Sequence, residues 1–76
     1  MKLLEYSNCF YNLDHVESFR CLSAFENEIE IIFITGKKLH FKHINEFPSD
    51  MDNLINFIKD PEATYFRLSN LDWMSF

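Results

Sequence analysis

His40 and His43 are the first residues to weigh for chemistry, because two imidazoles three apart on a helix can share a metal ion. Their surroundings decide against it. The run from Glu28 to Ile44, EIEIIFITGKKLHFKHI, is β-branched and aromatic and reads as strand. On a strand, residues three apart point to opposite faces, so the two rings cannot hold one ion. Cys9, Cys21 and His15 could join either ring in space, but no CxxC or HExxH spacing brings them there. Asp14-His15 with Glu17 offers an acid and a base, and a cysteine with a histidine offers a thiol nucleophile. Both need a third, orienting group and a pocket, and neither has a local signature. A capped turn with one exposed histidine accounts for the same residues. A single glycine cannot build a phosphate-cradling loop. Lys37, Lys38 and Lys42 could take an anion or an acidic partner. They also suit a charged hairpin tip that discourages edge pairing. The expectation is no catalytic residue, no cofactor and no metal ligand.

The elements that would position these groups start with a β-hairpin, Glu28 to Thr35 and Lys38 to Ile44, turning at Gly36-Lys37. Gly36 suits the first central position of a two-residue type II′ turn. That turn pairs Ile34 with Leu39 and Ile32 with Phe41, giving a core face of Ile32, Ile34, Leu39 and Phe41. The opposite face then carries Ile29, Ile31, Phe33, Thr35, Lys38, His40, Lys42 and Ile44. It is covered either by the C-terminal tail or by a partner. A slip of one residue would exchange the faces.

Before the hairpin, a short strand is expected at Cys9 to Asn12, a helical turn across Asp14 to Glu17, and a strand from Ser18 to Phe25. After it, Ser49 is the expected N-cap of a helix from Asp50 to Asp60, with Asp50 and Asp52 in its first turn. Met51, Leu54, Ile55 and Ile58 form its apolar stripe, and Asp60-Pro61 ends it. The tail alternates from Thr64 to Leu68 as a further strand. It then crowds Leu71, Trp73, Met74 and Phe76 into the last six residues. Such a tail is either tucked against the sheet or inserted into another chain.

Seventy-six residues make one small domain, with 47% hydrophobic and 17% aromatic residues to build its core. A net charge of −5 disfavours nucleic acid and anionic membranes and is compatible with a basic protein partner. The segment MKLLEYSNCF is not a signal peptide and no apolar run reaches membrane-spanning length, so a cytoplasmic protein with reduced Cys9 and Cys21 is expected. Phe, Asn, Ile, Lys and Tyr have A+T-rich codons, which points to an A+T-rich bacterial or viral genome.

The order of signals is loosely similar to small bacterial FlbD-type proteins associated with flagella. The similar residues are Phe10-Tyr11-Asn12-Leu13-Asp14-His15-Val16-Glu17, then Ile31-Ile32-Phe33-Ile34-Thr35-Gly36-Lys37-Lys38, then a helix. They are generic strand and turn types, and the tail from Glu62 has no counterpart there. The family's role is not carried over.

The sequence therefore predicts an α+β fold: an antiparallel meander of three to five strands, one helix at about 50–60 on one face, and an aromatic C-terminal tail. The function it favours is a non-enzymatic, acidic protein-binding module that inhibits or adapts by occupying a partner's surface, of the immunity or anti-defence type. Its expected contacts are Phe33, His40, Tyr65, Trp73 and Phe76. The alternatives are a homodimer pairing through the second sheet face, and, less favoured, a small enzyme or metal-binding protein.

Overall fold

The computed structural model describes residues 1–76. In chain order the elements are β1 (Leu3–Tyr6), β2 (Cys9–Asn12), β3 (Val16–Cys21), β4 (Glu28–Phe33), β5 (Lys38–His43), α1 (Ser49–Lys59), β6 (Tyr65–Leu68) and β7 (Trp73–Ser75). The class is α+β, rich in antiparallel pairing, as the sequence predicts. The strands number seven and divide into two sheets, ordered β2-β1-β6 and β3-β4-β5-β7.

The β4–β5 hairpin forms where expected, but in a different phase. Its loop is three residues, Ile34 to Gly36. The Gly36 amide donates to the Phe33 carbonyl at 2.9 Å, and the Phe33 amide donates to the Lys37 carbonyl at 2.8 Å. Gly36 takes φ +89°, the left-handed position that closes such a loop with a one-residue bulge. Ile31 therefore pairs with Leu39 and Ile29 with Phe41. The register differs by three residues from that of a two-residue turn, an odd number, so the inward set of β4 is exchanged. Ile29, Ile31 and Phe33 are buried, Ile34 is 63% exposed, and Ile32 is half-buried on the outer face. On β5, Leu39 and Phe41 point inward as expected, and His43 joins them.

Three further expectations are corrected. Asp14 to Glu17 is not helical: Asp14 and His15 turn, and Val16 already begins β3. β3 ends at Cys21, so Phe25 lies in a loop. Ser49 is the first helical residue and not the cap. Pro48 holds the cap position and offers no side-chain bond. The helix is held from its other end. The Lys2 ammonium donates to the carbonyls of Phe57, Ile58 and Asp60 at 2.9, 2.8 and 2.7 Å. It also lies 5.4 Å from the centre of the Phe57 ring. A cation there satisfies orphan carbonyls and meets the negative end of the helix dipole.

β1 and β2 turn through Ser7 and Asn8, both at positive φ, which is the geometry of a two-residue type I′ turn. β6 pairs parallel to β1, and the chain between them runs through β2, the hairpin strands and the helix. The helix and the smaller sheet cover one face of the larger sheet. Leu4, Leu68, Met51, Leu54, Phe57 and Trp73 join Ile29, Ile31, Phe33, Leu39 and Phe41 in one core. Tyr6 and Tyr11 both meet the Phe41 ring edge-on. The buried helix residues are Met51, Leu54 and Phe57, with Ile55 and Ile58 at the margin. The tail is tucked only at Trp73: β7 pairs with β5 and Trp73 is 2% exposed, while Leu71, Met74 and Phe76 stay exposed.

Lys2→Met should lower the unfolding free energy in urea by about 1–3 kcal/mol. Lys59→Met, in the same last turn but without such bonds, should cost less than about 0.5 kcal/mol. Equal losses would show that Lys2 does not hold the helix end. Trp73, the sole tryptophan, should emit in the blue and resist quenching by iodide; a red, readily quenched emission would place it in water.

Candidate functional site

The residues expected at a partner surface fall in three places. Phe33 and Trp73 are in the core, at 9% and 2% exposure, so Phe33 shows only a ring edge and Trp73 offers no contact to a partner protein. Phe33 is inward because of the hairpin phase, and Trp73 because β7 is an ordered edge strand. His40 and Phe76 stack on the outer face of the larger sheet, with ring centres 4.8 Å apart. Tyr65 stands on the edge strand β6 and donates its hydroxyl to Glu5. That hydrogen bond to a carboxylate is the main reason its phenol titrates above the usual range. These five residues do not form one surface.

The outer face of the larger sheet is laced with charge. Glu28 lies opposite Lys42 and Glu30 opposite His40. Arg20 bonds Glu30 at 3.0 Å, and His40 bonds Glu28 at 3.1 Å. Such cross-strand pairs make a solvated face.

His43 is the buried titratable group to examine for chemistry. Its Nε2 lies 3.2 Å from Asp50, and Asp72 is close enough for the three to suggest a metal cluster. The other ring nitrogen argues otherwise. Nδ1 accepts the Asn45 amide at 3.0 Å, so the ring proton sits on Nε2 and is donated to Asp50. A metal-bound imidazole carries its remaining proton outward to an acceptor. Here that position faces a donor. The same bond occupies the nitrogen that a general base would need. His43 is therefore a strut. It joins the end of β5 to the helix start and to the loop after it, with the Trp73 ring edge-on at 4.9 Å.

What the strut supports is the apolar end of the molecule. The loops 22–27, 44–48 and 69–72 converge there. Phe47 donates its amide to Phe25, His43 to Asn27, and Ile44 to Asp72, at 2.7–2.8 Å. Leu22, Phe25, Ile44 and Phe47 remain 41, 48, 55 and 63% exposed. The Phe25 and Phe47 rings meet edge-on at 6.2 Å. Phe47 holds this position at φ +50° and Glu26 holds its own at φ +53°. For a bulky side chain that conformation costs on the order of 1–2 kcal/mol. Asn27, buried beside them, leaves its Oδ1 without a hydrogen-bond partner. A polar cost thus joins the backbone strain at the same end.

Charge is one-sided there. Glu26, Glu46, Asp50, Asp52 and Asp72 lie in these loops and the first helical turn, and no lysine or arginine does. Lys2 and Lys59 are at the far end of the helix and Lys37 and Lys38 at the hairpin tip, while Arg20, Lys42 and Arg67 stand on the strands that lead into these loops. The strand expected from Ser18 to Phe25 would have put Phe25 in a sheet, whereas β3 stops at Cys21. The available signal was an aromatic between Glu46 and Pro48, where proline disfavours the right-handed helical conformation of the residue before it.

Cys21 sits beside this end, at the edge of β3. Partial burial first, then Glu26 and Asp52, push its thiol above the ordinary value. Its thiolate therefore appears only at higher pH, and alkylation near neutrality should be slow. Glu26→Gln and Asp52→Asn should each speed alkylation of Cys21 at a fixed pH near 8, read by mass spectrometry. Unchanged rates would remove those carboxylates from its environment.

No helix of the chain is long and apolar enough to cross a membrane. Comparison with protein-family models, with curated proteins and with solved structures finds no match.

Proposed function

We propose that this chain is a non-enzymatic protein-binding module that acts as an inhibitor or adaptor by laying its loop end on a partner protein. The observation that carries the reading is Phe47, an aromatic side chain 63% exposed on a backbone at φ +50°. Folding alone gains little from displaying a ring there, and strained exposed residues concentrate where a surface is used. Leu22, Phe25 and Ile44 extend it into an apolar patch of the kind that forms the dry centre of an interface.

The acidic rim selects the partner. A surface with basic residues around an apolar pocket would be attracted over a distance and would dock faster at low salt. A second copy docked patch to patch would set its carboxylates against those of the first. This disfavours a homodimer through that end. An inhibitor of the immunity or anti-defence type fits the acidity and the rigid aromatic anchor, and an adaptor fits them equally.

The test uses the tagged chain as bait in lysate of its own source cells, with quantitative mass spectrometry. Phe47→Asn keeps a residue that tolerates positive φ and removes the ring, so stability should stay within about 1 kcal/mol of wild type. A specific partner should be lost more than about tenfold by Phe47→Asn and by Ile44→Ser. Phe76→Ser on the outer sheet face should retain it. A partner that survives both patch substitutions, with the fold intact, would refute the reading.

A further inference from the structure

Three surface cavities differ in the charge of their walls. The first, about 240 Å³, is lined by Asp14 and by Lys2, whose ammonium is committed to the helix end. The second, about 420 Å³, runs along β3 past Glu17 and has no cationic lining residue. The third, about 290 Å³, lies between β2, the turn after it, and the tip of the β4–β5 hairpin. Its walls are Phe10, Tyr11 and Phe33 with His15, Thr35 and Lys37, and they include no carboxylate.

We propose that this third cavity binds a small aromatic anion: a single ring bearing a carboxylate or phosphate. This site is separate from the loop end and does not depend on that reading.

The ring follows from the apolar walls. Phe33 presents its last exposed edge there, at 9%, and Phe10 stands 60% exposed with no ring partner. Tyr11 is braced edge-on against Phe41, which fixes its orientation. Aromatic walls favour a flat ligand by offset or edge contacts.

The anion follows from the polar lining. Lys37 has no carboxylate partner. The hydroxyls of Tyr11 and Thr35 and the ring of His15 form no hydrogen bond within the chain, so all four remain open to a ligand. Asn12, also in the wall, spends its side-chain oxygen on the Asp14 amide and does not oppose an anion. In a chain of net charge −5, this is the one of the three cavities lined by a lysine and by no carboxylate.

Size sets the limit. The volume is at the lower end of ordinary ligand cavities, ~300 Å³, which admits one ring and excludes a dinucleotide. A ligand so small, in an open site on an acidic protein, should bind with a dissociation constant on the order of 1 mM.

The experiment follows the amides of Asn12, His15, Thr35 and Lys37 in the ¹⁵N-labelled chain. Four probes are titrated: phenyl phosphate, benzoate, benzylamine and inorganic phosphate. Saturable shifts confined to this cavity, with phenyl phosphate or benzoate and not with the other two, support the proposal. Lys37→Gln should weaken that binding by roughly five- to tenfold. Lys37 is exposed and uses only its backbone carbonyl in the hairpin, so the variant keeps the fold. Lys59→Gln, outside the cavity, should bind as wild type does. The proposal is overturned if no probe shifts these amides up to about 10 mM. It is equally overturned if benzylamine or inorganic phosphate shifts them as strongly as the aromatic anions. Undiminished affinity in Lys37→Gln also overturns it.

Discussion

The hydrogen bond from the Gly36 amide to the Phe33 carbonyl sets the phase of the larger sheet, and the phase sets nearly everything else. With a three-residue loop closed by a left-handed glycine, Ile29, Ile31 and Phe33 turn inward together with Leu39, Phe41 and His43. Those six side chains are the floor on which the helix and the smaller sheet rest. A two-residue turn would have placed Glu28 and Glu30 on the inner face, at the cost of burying two carboxylates. As built, Glu30 meets Arg20 and Glu28 bonds His40 on the outer face, and the floor is apolar apart from His43.

His43 links that floor to the working end. Because it points inward, it can receive the Asn45 amide on one nitrogen and meet Asp50 with the other. The chain leaving β5 is thereby fixed before it reaches Phe47. A ring displayed at positive φ needs such support, since the local backbone would relax otherwise. The core, the strut and the strained aromatic form one sequence of causes. The molecule is acidic and apolar at the end where it is strained. At the opposite end of the helix the Lys2 ammonium closes the last turn.

Much of this was legible in the residues. The helix, its acidic first turn, the hairpin, the strand at Cys9–Asn12 and the extended tail follow from periodicity and turn chemistry. The hairpin phase was legible only in part. A lone glycine serves a type II′ turn and a bulged three-residue loop equally well, and local pattern could not choose between them. The alternation Glu28-Ile29-Glu30-Ile31 held the missing information, because it opposes the face that the turn argument selects. The smaller sheet was not legible as such. Its β1–β6 pairing is parallel and spans about the whole chain, so no short-range signal encodes it. The site was missed for a related reason. Phe25 and Phe47 read as ordinary apolar residues until the loops that carry them are brought together.

The phase of the hairpin can be measured with one pair of substitutions at neighbouring positions, Phe33→Asp and Ile34→Asp, followed by urea unfolding. Phe33 is in the core and Ile34 is 63% exposed at the loop. A carboxylate at Phe33 should remove more than about 3 kcal/mol of stability or abolish folding, while one at Ile34 should cost less than about 1 kcal/mol. The reverse order, with Ile34→Asp unfolding the chain and Phe33→Asp tolerated, would put the other face of β4 inward. It would contradict the register, the floor and the strut that stands on it.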